Sequence, residues 1–209
     1  MNLDIRIAGE KTVRDWLNLK DLIQKDFDNN ALWEKAFTYF KDRLFTRYIN
    51  PAQKIQNDNC SEVVGEGFAI STILCSLIEA LETFYEGKHF TPQRPQNEYE
   101  YTNGQSKRIF TDFLTQREPF RTEFKSLASD FYYNVRCSLL HEAATRNGWV
   151  IRIDTARLIE KDGNKKVLNR CLFIESVKKY IETYKQELLN DNQRKEAFIR
   201  KMDSICYTA

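Results

Sequence analysis

Apolar residues recur at helical spacing along most of this chain. Between residues 12 and 28 they fall at Val13, Trp16, Leu17, Leu19, Ile23 and Phe27, the stripe of an amphipathic helix. Asn29-Asn30 breaks that pattern. A second stripe, Trp33, Phe37, Phe40, Leu44 and Tyr48, predicts a helix from about Ala31 to Ile49. Pro51 is expected to stop it, because the residue before a proline is pushed out of the α region. Residues 52–64 are polar and give no firm assignment. From about Glu66 to Tyr85 the chain is apolar nearly all round, as in a helix central to a core. Gly87 can cap its end.

Residues 88–105 hold Pro92, Pro95 and Gly104 and read as a long surface loop. Helical spacing resumes at Ser106 to Leu114. It then runs unbroken from about Arg121 to Ala144, ended by Asn147-Gly148. Two strand-like runs follow, Trp149 to Ile153 and about Lys166 to Phe173. The turn signal Asp162-Gly163-Asn164 lies between them, so the expectation is a small β-hairpin within 149–173. From Ile174 to about Met202 the spacing is helical again. No internal repeat stands out, and the length suits a single domain over residues 1–209.

Composition sharpens this. Only seven Gly and four Pro occur in 209 residues, too few breakers for a turn-rich sandwich or barrel. Hydrophobic residues make up 42%, enough for a core and against disorder along the whole chain. Lys and Arg number 32 against 30 Asp and Glu, a net charge of +2. A protein that coats DNA is usually more basic, yet this balance leaves a nucleic-acid substrate open. The five cysteines, Cys60, Cys75, Cys137, Cys171 and Cys206, form no CxxC pair. They read as reduced thiols of a cytoplasmic protein. Asp4, Arg6, Glu10 and Lys11 interrupt any apolar leader. The longest apolar run, Phe68 to Leu81, is too short for a bilayer, so no membrane partner is expected.

Candidate chemistry is sparse. Histidine occurs only at His89 and His141. No HExxH, Walker loop, GxGxxG or GxSxG appears, so no metal or other cofactor is expected. The informative segment is Phe131-Tyr132-Tyr133-Asn134-Val135-Arg136-Cys137-Ser138-Leu139-Leu140-His141-Glu142. It places an arginine, four residues and a histidine near the end of an amphipathic helix. In this it resembles the HEPN family, whose helical bundles carry an Arg-x(4–6)-His motif. The hydrophobic helix before the motif, and the hairpin and helix after it, extend the resemblance over residues 31 to 190.

The resemblance implies a mainly α fold, an antiparallel helical bundle with a small β-hairpin after the motif helix. It also implies metal-independent endoribonuclease activity, often in toxin–antitoxin or phage-defence systems. Arg136 and His141 would be catalytic, in a site shared by a homodimer. RNA would be the substrate, and an antitoxin or other regulatory protein a possible partner. Cys137 stands directly after the arginine, where family members often carry Asn, Asp or His. The alternative is therefore a HEPN-like module that dimerises or binds RNA or a nucleotide without cleaving.

The residue types suit RNA cleavage. The reaction needs a base for the 2′-OH proton, an acid for the leaving 5′-oxygen and positive charge on the phosphorane-like transition state. Histidine serves as either base or acid at neutral pH, and arginine forks onto two phosphate oxygens. The products would be a 2′,3′-cyclic phosphate and a 5′-OH. On an ideal helix five residues turn about 500°, so Arg136 and His141 point roughly 140° apart. Asn134 and His141, seven apart, share a face, which makes Asn134 a supporting candidate. Glu79 lies inside an apolar run and needs a partner, and Arg136 or His141 could supply it. Plainer readings stand beside these. Arg136 can be a structural ion-pair residue, His141 a capping or core histidine near a helix end, Glu79 a rim residue and His89 a surface residue. The Lys35, Lys41, Arg43 and Arg47 face of the second helix can be solvated or can touch RNA phosphates.

Overall fold

The computed structural model describes residues 2–57 and 65–208. Cys60 and the end of the polar 52–64 stretch lie outside the described residues. In chain order the elements begin with a short antiparallel pair, β1 (Arg6–Ala8) and β2 (Lys11–Thr12). Helices α1 (Val13–Lys25), α2 (Asn30–Leu44), α3 (Asn50–Asn57) and α4 (Glu66–Glu86) follow. Strands β3 (His89–Phe90) and β4 (Glu100–Tyr101) precede α5 (Ser106–Gln116), α6 (Phe120–Phe124), α7 (Ala128–Phe131) and α8 (Ser138–Glu142). Then come β5 (Trp149–Arg152), β6 (Ile159–Asp162), β7 (Lys165–Asn169), α9 (Arg170–Asn190) and α10 (Asn192–Tyr207). The protein is mainly helical.

Local sequence explains the helix starts. Thr12 accepts from the Asp15 N–H while the Asp15 carboxylate accepts from the Thr12 N–H, a capping box on α1. Asn29 and Asp191 cap α2 and α10 in the same side-chain-to-backbone manner. Gly87, at φ +69°, ends α4 as anticipated, and the Lys88 N–H bonds back to the Thr83 carbonyl. A Cβ at Gly87 would also meet the Ala197 backbone at 2.7 Å.

The chain forms two compact units. The first comprises residues 1–47, 83–105 and 181–209. Its core is aromatic: Phe40 packs on Phe84 at 4.7 Å and on Tyr184 at 5.0 Å, and Phe198 meets Trp16 at 5.9 Å. The second comprises residues 48–82 and 106–180. There Phe113, Phe120, Phe124, Phe131 and Phe173 are fully buried. The buried Glu82 carboxylate takes a two-pronged bond from Arg117, Nε at 2.9 Å and Nη2 at 2.6 Å.

Several expectations are corrected. Pro51 does not stop a helix: α2 passes through a π-helical turn, Phe45–Ile49, into α3. The ladder is widened just where the proline withholds its N–H. The 121–144 helix is not continuous. It bends at residues 125–127 and passes through a second π-helical turn, Tyr132–Cys137. The bend lets Phe120, Phe124 and Phe131 share one core: Phe120 and Phe131 lie 6.2 and 6.1 Å from Phe173, and Phe124 and Phe131 are 4.9 Å apart. The hairpin pairing also differs. β7 is the centre of a three-stranded sheet in the order β5-β7-β6, parallel to β5 and antiparallel to β6. The hairpin around Gly163 joins β6 to β7. Its first strand, Ile-Glu-Lys-Asp, is an edge with one buried residue, so it lacks a strand's apolar signature.

β7 ends at Asn169, whose side chain accepts from the Cys171 and Leu172 N–H groups and so turns the chain into α9. The helix expected over 174–202 is divided at Asp191. The 88–105 loop carries the two-residue strands β3 and β4. Finally, α4 has 21 residues, long and apolar enough by length and composition to cross a membrane. The Phe68–Leu81 count missed this because the helix runs on through Glu82 and Thr83, and 61% of its most apolar window is buried inside the protein.

Candidate functional site

All four sequence candidates, Arg136, His141, Asn134 and Glu79, lie in the second unit. They do not form one cluster. Arg136 sits on the π-helical turn, half-buried. One guanidinium nitrogen lies 3.8 Å from the Glu79 carboxylate, and the group rests 5.4 Å from the centre of the Tyr132 ring. Glu79 also accepts from the Ser106 hydroxyl at 3.0 Å. Arg136 lines a recess of only about 50 Å³ with Thr72, Cys75, Ser76 and Leu140. Burial pushes the Cys75 thiol well above its ordinary range, so it stays neutral there.

His141 opens on the other side. It is exposed on α8 and lines a recess of about 250 Å³ with Tyr133, Asn134, Cys137 and Arg146. The pairing of Asn134 with His141 is the one that helical geometry predicted, and Arg136 faces elsewhere. Tyr133 is 53% exposed, with the Lys107 ammonium 4.5 Å from its ring centre. Arg146 forms an ion pair with Glu142. The open side therefore joins an imidazole, an amide, a guanidinium and a flat aromatic face.

One carboxylate organises this side. Asp130 accepts from Lys166 Nζ at 2.6 Å, Trp149 Nε1 at 2.7 Å, and the amides of Asn147 and Asn134 at 2.8 Å each. Burial alone would raise its pKa. The bonds from Lys166, Trp149 and Asn147 and the Lys166 charge outweigh that and hold the carboxyl below the ordinary aspartate value. This network ties α7 to β5, β7 and the loop after α8. The loop is fixed further by the Arg146 N–H, which donates to the Asn134 carbonyl at 2.9 Å. Ala143 at φ +51° and Asn147 at φ +50° turn it sharply. Gly148, at φ +75°, passes so close to Asn164 that a Cβ would meet its carbonyl oxygen at 2.8 Å.

The π-helical turn shapes the site too. The Ser138 hydroxyl donates to the Tyr133 carbonyl five residues back at 3.1 Å, within the widened ladder that a π turn creates. Asp130, Arg146, Tyr133 and Lys107 were not singled out from sequence. The available signal was Asp130 four residues before Asn134, a spacing at which helix side chains meet. The fourfold convergence on Asp130 had no such signal, because three of its donors come from the loop and the sheet.

Among the described residues no group of three or more His, Cys, Asp or Glu side chains is placed to hold a metal ion. No protein-family model, no curated protein and no solved structure matches this chain.

Proposed function

We propose that this protein is a metal-independent endoribonuclease of HEPN type, working as a homodimer in the cytoplasm. The observation that carries the reading is the exposed His141, held beside Asn134, Arg146 and the open Tyr133 ring. The imidazole is free to exchange a proton with substrate. Arginine and lysine at Arg146 and Lys107 supply charge for the RNA backbone, and the Tyr133 ring offers a stacking face for an unpaired base. One His141 can act as base or acid, and the two from a pair of copies supply both. The HEPN-like bundle, a toxin–antitoxin or phage-defence setting and an antitoxin partner belong to the same reading through the Arg136-x4-His141 resemblance.

In this mechanism His141 takes the 2′-OH proton, and the 2′-oxygen attacks the adjacent phosphorus. The 5′-oxygen leaves with a proton from the partner copy's imidazole. Arg136 faces the other recess, so it reaches the phosphate only by giving up its 3.8 Å contact with Glu79 and swinging round to two phosphate oxygens. The test is incubation of wild-type protein and His141→Ala with RNA in EDTA. The wild type is expected to leave 2′,3′-cyclic phosphate ends, and the variant to lose about 10²–10⁴-fold in rate. Intact RNA with the wild type, or equal cleavage by the variant, overturns the reading.

One observation favours a second reading, a HEPN-like module that dimerises or binds RNA or a nucleotide without cutting. Arg136 is already compensated by Glu79 and packed on Tyr132. RNA bound but not cleaved would support it.

A further inference from the structure

The first unit contains a further recess, unrelated to the Arg136 and His141 segment. It measures about 350 Å³, and its lining includes His89, Asn97, Tyr99, Arg200, Asp203 and Tyr207. That volume lies at the lower end of the roughly 300–1,000 Å³ typical of small-molecule sites.

The Arg200 guanidinium lies over the Tyr99 ring, 4.2 Å from its centre. Among the described residues Arg200 has no carboxylate partner, and its buried Nε has no hydrogen-bond acceptor. Asp203, three residues on, does not neutralise it. That carboxylate is taken up by Lys20 Nζ at 2.6 Å and Trp16 Nε1 at 3.0 Å. His89 adds an imidazole, 3.6 Å from Glu100. Glu100 in turn accepts from the Gln96 N–H at 2.7 Å and the Asn97 amide at 3.1 Å, and so fixes the loop that supplies Asn97 and Tyr99. Tyr207, on the same recess, is 76% exposed. An unpaired, stacked guanidinium is a fork for a carboxylate or phosphate, and an exposed tyrosine lining the same recess is a face for a ring.

We infer that this recess binds a small ring-bearing anion, a carboxylate or phosphate head group joined to a flat aromatic ring. Arg200 takes the head group and Tyr207 the ring. The inference does not depend on ribonuclease activity.

The test is calorimetric titration of the full chain with benzoate, phenyl phosphate, adenosine monophosphate and inorganic phosphate. At least one ring-bearing anion is expected to bind with a dissociation constant at or below about 1 mM, and inorganic phosphate about tenfold more weakly. The preferred head group separates carboxylate from phosphate. Arg200→Gln is expected to weaken the best ligand about tenfold or more, the scale of a lost two-pronged ionic contact. Tyr207→Ala, at an exposed position, is expected to weaken it while leaving the melting temperature unchanged. The inference is overturned if no ring-bearing anion binds, if inorganic phosphate binds as tightly as phenyl phosphate, or if Arg200→Gln binds like the wild type. Should Arg200→Gln fail to fold, Arg200→Lys decides: it keeps the charge without the fork, so weaker binding supports the inference and unchanged binding overturns it.

Discussion

The segment from Tyr132 to Glu142 has two sides, and they differ in kind. On one, Arg136 is half-buried against α4, compensated by Glu79 and packed on Tyr132, over a recess of about 50 Å³. On the other, His141 faces an open recess of about 250 Å³ with Asn134, Arg146 and Tyr133. Burial with a partner makes a charged side chain part of the packing, whereas exposure leaves it available. A motif that reads as one unit in sequence is therefore two environments in space, and a single copy does not aim both side chains at one point.

Three experiments can break or sharpen that contrast. The largest effect concerns Arg136. If it contacts phosphate in the transition state, Arg136→Gln loses about 10²–10³-fold in cleavage rate, the scale of one lost oxyanion contact. Glu79→Gln, which frees the guanidinium, keeps or raises the rate. Cleavage that survives Arg136→Gln would confine the chemistry to the His141 side.

The second tests whether Asp130 holds the open side. Asp130→Asn is expected to cost about 1–3 kcal/mol at neutral pH, since a half-buried hub loses its charge-assisted bonds. It is read from denaturant unfolding. The pH dependence follows from the direction of the shift. A carboxyl held below its unfolded value contributes stability that is fully present above the ordinary aspartate pKa of about 3.9 and is lost as pH falls through the folded value. Melting temperatures from neutral pH downward should fall less steeply in that acid range for Asp130→Asn. Equal acid slopes would remove Asp130 from its organising role.

The smallest effect is on the stability of His141→Ala. An exposed imidazole outside the packing should change unfolding free energy by no more than about 0.5 kcal/mol. A loss well beyond that would mean the histidine is a structural cap, and any accompanying drop in cleavage would then say nothing about proton transfer.

Much of this was legible in the chain. The periodicity at Val13, Trp16, Leu19 and Ile23 marks α1, and those four side chains are buried. Gly87 ends α4 where its chemistry predicts, and the break read at Asn29-Asn30 is the start of α2, with Asn29 as its cap. The seven-residue separation of Asn134 and His141 anticipates their shared recess. Other features were not legible. The bend at 125–127 contains neither glycine nor proline; it follows from three phenylalanines reaching one core. Strand β6 is polar and exists because β7 offers an edge to pair with.

By itself, then, the sequence determined what depends on neighbours along the chain: helical periodicity, caps, turn residues and the separation of two side chains on a helix. The tertiary structure decided what depends on distant partners. It bent the motif helix, made β7 central and converged Lys166, Trp149, Asn147 and Asn134 on Asp130. Among the described residues it also left Arg200 stacked on Tyr99 without a carboxylate partner. The physical reason is one of range. Backbone propensity and side-chain spacing act over a few residues. The pairing of buried charges is settled only when packing brings together segments far apart in the chain.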